Sequence, residues 1–177
     1  MDIVEFFQLS SGKWFSHRTQ QDLSLPNAAG GKSTVQVESL TNQDSAVIQL
    51  CEHCHIHPQQ ALCGLRISWT GTVEGSPQQE QGTTFLVAIA DPDNTCEGKI
   101  LRQQGTVQTS NGRYLMGTDD VLTLTAETEQ GASVERIWFA SPNLRLRTGL
   151  IQEADQQYSV ASFCSEIRLG VTQPASS

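Results

Sequence analysis

The chain has 177 residues and a formal net charge of −8, from 19 acidic and 11 basic residues. That length suits one domain with a real core, and the negative balance argues against non-specific binding to nucleic acid or anionic membranes, which needs a positive field. Charged residues make up only 17 %, so the polar surface comes largely from Gln, Ser and Thr, which favours strands and turns over helices.

Met1 to Gly12 has no basic segment leading into a long apolar core, and no stretch approaches the ~20 apolar residues that span a bilayer. A soluble, cytosolic chain with no membrane partner is expected. The five cysteines, Cys51, Cys54, Cys63, Cys96 and Cys164, are then free thiols.

Asp2 to Ser10 reads as a short helix capped by Asp2, with Ile3, Phe6, Phe7 and Leu9 at helical spacing. Ser11-Gly12 ends it, and the first strand starts at Lys13. Gly12-x-Trp14 after a short helix is a common opening of lipocalin-like barrels, with the Trp closing the floor. Trp14, Ser16 and Arg18 share one face of this strand, so Arg18 points the way of the tryptophan, unless it is simply a surface cation. Asn27 to Gly31 reads as a loop, Ser33 to Leu40 as a second strand, and Ser45 to His55 as the one substantial helix, burying Val47, Ile48 and Leu50 or Cys51.

That helix runs into Cys51-Glu52-His53-Cys54-His55-Ile56-His57, which has the spacing of a c-type haem attachment sequence and residues that suit zinc. Haem attachment calls for an exported chain, and a structural zinc site for a second paired ligand element, whereas only single cysteines follow. A purely structural role is expected, with no metal.

From Leu65 the chain alternates as strands. Leu65 to Val73, Thr83 to Ala90 and Cys96 to Gln108 are extended, with turns at Gly75-Ser76-Pro77 and Asp91 to Asn94. Ser110-Asn111-Gly112 reads as a hairpin turn, Gly117 to Asp120 as another, and Val121 to Thr128 as a further strand. In Ser133 to Leu150, Val134, Arg136 and Trp138 fall on one face and Glu135, Ile137 and Phe139 on the other. After the turn Ser141-Pro142-Asn143, Arg145 and Arg147 share one face and Leu144 and Leu146 the other. Asp155 to Gln157 is a turn, Tyr158 to Leu169 the last strand, and Val171 to Ser177 a disordered tail.

The expected fold is all-β: an antiparallel, lipocalin-like barrel of about 8–10 strands with a short N-terminal helix and one further helix, spanning residues 1–170. Such a barrel can hold one small ligand in its mouth. Trp69, Trp138, Phe85 and Phe139 can supply apolar walls. Arg145 and Arg147, with Cα atoms roughly 6.5 to 7 Å apart, suit two carboxylates or phosphates, and Arg18 can assist. An exposed face solvated by arginines is the competing reading. If Glu135 lines the cavity it can donate or accept a proton, since a carboxyl in a partly apolar cavity can have a raised pKa; otherwise it pairs with an Arg.

Three segments carry a specific resemblance: Gly12-Lys13-Trp14-x-Ser16-x-Arg18-Thr19, Glu135-Arg136-x-Trp138-Phe139-Ala140-Ser141-Pro142-Asn143-Leu144-Arg145-Leu146-Arg147-Thr148, and Ala161-Ser162-Phe163-Cys164-Ser165-Glu166-Ile167-Arg168. They resemble the S-type (CpcS/CpeS) phycobiliprotein chromophore lyases over nearly the whole chain. The resemblance implies a lipocalin-like barrel that binds a linear tetrapyrrole such as phycocyanobilin as substrate, with no tightly bound cofactor, and delivers it to a cysteine of a phycobiliprotein apo-subunit in a cyanobacterial cytosol or plastid stroma. It assigns Arg145, Arg147 and Arg18 to the two propionates, Trp69 to stacking on the pyrroles, and Glu135 to the pyrrole nitrogens. It puts the nucleophile on the acceptor, whose thiolate adds to the ring A ethylidene.

Val73-Glu74-Gly75-Ser76, Arg102-Gln103-Gln104-Gly105-Thr106 and Gln152-Glu153-Ala154-Asp155 depart from the family pattern. They admit a divergent second subunit (CpcU-like) that works only with a paralogous partner. A homodimer and a carrier barrel without transfer activity are the other forms considered.

Overall fold

A computed structural model describes residues 1–23, 25–26, 28–91, 94, 96–128, 131–153 and 159–170. Ten antiparallel strands form a closed barrel. They are β1 Gly12–Asp22, β2 Ala28–Leu40, β3 Ala61–Val73, β4 Gln79–Ala90, β5 Glu97–Gln104, β6 Val107–Met116, β7 Leu122–Thr128, β8 Gly131–Ser141, β9 Leu144–Glu153 and β10 Ser159–Arg168. Each pairs with its neighbours in sequence, and β1 closes the ring on β10 with Trp14 opposite Arg168 and Arg18 opposite Cys164. Closure leaves no free sheet edge.

The helix α1, Ile3–Ser10, starts in a capping box: the Glu5 amide donates to the Asp2 carboxylate and the Asp2 amide to the Glu5 carboxylate. It buries Ile3, Phe6 and Phe7 against Trp14 and the lower barrel. Phe139 meets Phe6 and Trp14 with ring centroids 5.2 and 6.1 Å apart. At the helix end the Arg168 guanidinium donates to the carbonyls of Leu9 and Ser11, both at 2.6 Å. Gly12 sits at φ +127° and its absent Cβ would lie 2.7 Å from that guanidinium, so only glycine suits the step from helix to strand. The α1 end is therefore the floor. The β1–β2, β3–β4, β5–β6, β7–β8 and β9–β10 connections lie at the other end, the mouth.

A second helix, α2 (Ser45–His53), packs outside the barrel wall. Val47, Leu50 and Cys51 join Leu40, Ala61, Val87, Ile89 and Leu101 in a separate core, with Phe85 beside it. Phe85 therefore faces out, as does Trp138, which alternates with the inward Ile137 and Phe139. Neither supplies an interior wall, contrary to the expectation above; Trp69 and Phe139 do.

The Cys-x-x-Cys-His run is a helix stop. His55 takes φ +56°, its amide donates to the Glu52 carbonyl at 3.0 Å, and the Ile56 amide donates to Cys51 at 2.9 Å; this pair of bonds is a Schellman motif. Cys51 is fully buried and the His57 ring caps the 3-10 turn Pro58–Gln60. Among the described residues no group of three or more His, Cys, Asp or Glu is placed to hold a metal, and the five cysteines are free. No described helix is long and apolar enough to cross a membrane.

Two expected turns are strand instead. Ala28 to Gly31 belongs to β2, pairing with Gln21 to Arg18. Ser110-Asn111-Gly112 lies inside β6, where the register slips between Ile100 and Arg102. The Gly112 Cβ would fall 2.6 Å from the Ile100 carbonyl, so this glycine serves a close approach at a bulge, and the turn falls at Gly105 with φ +58°. Asn27, Pro92, Asp93, the turn at Asp155 to Gln157, Tyr158 and the tail from Val171 lie outside the described residues.

Candidate functional site in the barrel interior

Strand parity brings the three sequence segments together. On β1, β8, β9 and β10 the inward positions are Trp14, Ser16 and Arg18; Phe139, Ile137 and Glu135; Arg145 and Arg147; and Arg168, Glu166 and Cys164. The cross-strand ladder places Glu166 between Ser16 and Arg145, and Cys164 between Arg18 and Arg147. Six of these inward residues are charged, in one wall of a barrel whose opposite wall is Cys63, Leu65, Leu86 and Ala88.

The deepest ion pair is Arg145 with Glu166. The Arg145 Nε donates to Glu166 Oε2 at 2.5 Å, with side chains 9 % and 1 % exposed, and the guanidinium lies 4.8 Å above the Trp14 ring. Burial pulls the Arg145 pKa below its ordinary value, although Glu166 works against it. For Glu166, burial opposes ionisation, but Arg147, Arg145 and the Ser16 hydroxyl together hold its carboxyl below the usual range. The pair remains charged because each desolvated ion is fully partnered.

Arg147 sits one step nearer the mouth and is shared. One terminal nitrogen donates to Glu166 at 3.2 Å and the other is 3.3 Å from Glu135, while 30 % of its side chain is exposed. Burial works against its charge, and Glu135 and Glu166 more than offset that. The same guanidinium is 3.8 Å from the Cys164 sulfur. Burial raises the Cys164 thiol pKa, with Arg147 partly opposing; a neutral, deep thiol is a poor nucleophile.

The expected site residues therefore separate by depth. Arg145 is locked in the floor, Arg147 and Glu135 face each other in the half-open interior, and Arg18 stands exposed towards the mouth opposite Cys164. Trp69 points inward from β3, partly buried against the core. Its indole covers Gly82 on β4, whose absent Cβ would be 2.9 Å from Nε1. Glu166 and Ser16 were not singled out in sequence. Parity within β10 gives Glu166 the same face as Cys164, but only the β9–β10 register identifies it as the partner of both arginines. Arg102 is a further inward cation: it pairs with Leu86 and is exposed at the mouth end of β5.

Chemically, this interior offers a partly exposed guanidinium in Arg147, braced by Glu135 and Glu166, a second cation in Arg18, a carboxylate in Glu135, and an aromatic plane in Trp69. It suits a flat conjugated molecule carrying acidic groups. Residues 2–169 match the family model described as CpeS-like protein. The chain belongs to that family. It is 49 % identical to "Chromophore lyase CpcS/CpeS" of Thermosynechococcus vestitus, over 100 % of this chain and 98 % of that protein. It is 35 % identical to "Phycocyanobilin lyase subunit CpcS" of Picosynechococcus sp., over 95 % of this chain and 86 % of that one. Among solved structures, the S-type phycobiliprotein lyase CPES from Guillardia theta superposes with a TM-score of 0.86 at 28 % identity, covering 97 % of this chain and 95 % of that one. Its barrel is thus the barrel of a CpeS family member.

Proposed function

We propose that the chain is a bilin lyase: it binds a linear tetrapyrrole inside the barrel and helps attach it through a thioether to a cysteine of a phycobiliprotein subunit. The observation that carries this reading is Arg147, held between Glu135 and Glu166 yet 30 % exposed to the interior. It is supported by similarity to proteins named chromophore lyase and phycocyanobilin lyase subunit.

The two propionates of a phycobilin go to Arg147 and Arg18. Arg145 supports them from below, because it is buried and its Nε already donates to Glu166. Trp69 stacks on the pyrroles, and Glu135 accepts from or donates to the pyrrole nitrogens. In the transfer step the acceptor's thiolate adds to the ring A ethylidene. A C–S bond forms, a proton is taken up by the tetrapyrrole, and nothing leaves. The lyase's contribution is to hold the bilin extended and present one face of ring A. No cysteine of this chain takes part, and no cofactor is needed beyond the bilin substrate.

The reading places the protein where phycobiliproteins are made, in a cyanobacterial cytosol or an algal plastid stroma. The decisive experiment mixes the purified chain with phycocyanobilin and an apo-phycobiliprotein subunit, then denatures in acid urea. Colour covalently held by the subunit, above the level formed without the chain, supports a lyase that works alone. Transfer only on addition of a paralogous lyase subunit identifies a two-subunit enzyme. Binding without transfer under both conditions identifies a carrier and overturns the lyase reading.

A further inference from the structure

The outer surface of the barrel is not uniform. α2 covers the β3–β5 wall, whereas the β1–β10–β9–β8 wall carries no helix and exposes large apolar side chains. Phe15 is 38 % exposed, Val134 40 %, Leu150 44 %, Phe163 46 % and Ile167 55 %. The register gathers them into two groups, one on the floor half of the wall and one on the mouth half. Phe15 pairs with Ile167 and Val134 with Leu150; Leu150 also pairs with Ala161, two residues along β10 from Phe163. Together they present roughly 400 Å² of apolar surface, within the size range of patches that mark function on monomers. One side of a standard interface, about 800 Å² and a little over half apolar, needs about this much.

The charge on this wall is opposite to that of the chain. Its described outward positions contain no Asp or Glu, although the chain has 19 acidic residues. The cations there are Lys13 and Arg136, and Lys32 of β2 lies beside the wall, opposite His17. Asp119 reaches Arg136 from the β6–β7 turn at 3.7 Å; Lys13 and Lys32 are exposed. A two-fold dimer through this wall would set one basic patch without described outward carboxylates against another, whereas an acidic partner would complement it. Val134, Leu150 and Phe163 lie on the mouth half of the wall, beside the opening through which a ligand must be handed over.

We propose that this wall is the docking surface for the acceptor protein, and that the acceptor meets it with an apolar face fringed by carboxylates. The proposal rests on the lyase reading and adds its protein partner. Phe163→Glu with Leu150→Glu puts two negative charges on the mouth half of the wall without touching an inward residue, and Phe163→Lys with Leu150→Lys is the charge-reversed control. Leu115→Glu, at a 48 % exposed residue on β6, controls for a surface charge elsewhere. Each variant is checked for its thermal melt, for phycocyanobilin absorption, and for association with an apo-phycobiliprotein subunit by biolayer interferometry at two salt concentrations.

The expected result is unchanged bilin absorption in all three. Association should be weakened at least tenfold by the Glu pair and less by the Lys pair, and should match the parent for Leu115→Glu. Parent association should fall as salt rises. Association within twofold of the parent for the Glu pair overturns the proposal. So does equal loss from the Glu and Lys pairs, or sedimentation showing that the Glu pair splits a homodimer while acceptor association persists. If the parent binds no bilin, the lyase reading fails instead, and the absorption arm reports that separately.

Discussion

Arg145 and Glu166 face each other across β9 and β10 with both charges buried, Nε to Oε2 at 2.5 Å. Neither ion has enough water to survive alone, so the pair acts as a fixed post on which Arg147, the next inward residue of β9, is braced. Removing one partner leaves an uncompensated buried charge, which costs about 3–5 kcal/mol. Glu166→Ala should therefore lower the urea midpoint severely, and Glu166→Gln less so, because the amide oxygen can still accept from Arg145. Equilibrium urea unfolding followed by tryptophan fluorescence checks this; a midpoint unchanged in Glu166→Ala would mean that the pair is not formed.

The same carboxylate sets an acid limit on stability. Its native pKa lies below the ordinary value, so near pH 4 the unfolded chain binds more protons than the native one at this site. The contribution is complete above the unfolded-state pKa and is lost as pH falls through the native one. The parent should lose stability from about pH 4 downwards, and Glu166→Gln should show a shallower fall over that range. Parallel slopes for the two proteins would remove Glu166 from the acid response.

Arg147 is the inward cation with both a brace and an exposed surface, so its removal should affect binding more than folding. Arg147→Ala is expected to weaken phycocyanobilin binding by about 1.5 to 3 kcal/mol, the scale of a charge-assisted hydrogen bond. Arg147→Lys should recover part of that, since it keeps the charge and loses the fork. Arg18→Ala should lose less, in keeping with its exposure. An absorption titration that finds Arg147→Ala equal to the parent would transfer the clamp to another residue.

Trp69 and Gly82 form a cross-strand pair in which the indole fills the space above the glycine. Gly82→Ala should push the ring out of place, shift the Trp69 emission and blue-shift the bound bilin, with only a small loss of stability. A bound spectrum identical to the parent would show that the indole plane does not touch the chromophore.

Burial raises the Cys63 thiol to about 12, and Cys51, Cys63 and Cys164 are all buried, whereas Cys96 is exposed. Native alkylation at pH 8 should label Cys96 first and leave those three until the chain unfolds. Rapid labelling of Cys164 would show that the interior opens further than the structure indicates.

Much of this was legible from alternation. Period-two patterning placed Glu135, Ile137 and Phe139 on one face and Arg145 with Arg147 on one face of the next strand, and both proved to be the interior. The capping of α1 by Asp2 followed from local chemistry alone. What escaped depends on contacts distant in sequence. Glu166 is 21 residues from Arg145, and nothing local specifies the register that joins them. Phe85 and Trp138 looked like cavity walls because parity tells which residues share a face but not which face is inside. Ser110-Asn111-Gly112 has the composition of a tight turn, yet closure of the β5–β6 ladder overrode that preference and used the glycine for a bulge. The Cys-x-x-Cys-His spacing imitated a ligand set because a helix stop also needs a residue that tolerates a left-handed backbone, and His55 supplies it.

On the proposed reading, the charged wall of this barrel holds a bilin through its acidic groups. The decisive measurement is a visible absorption titration of the purified chain with phycocyanobilin, run beside Arg147→Ala. The expected result is a red-shifted, sharpened band that saturates in the parent, with affinity weakened at least tenfold in the variant; a parent spectrum indistinguishable from free bilin would mean that the barrel interior is not a bilin site.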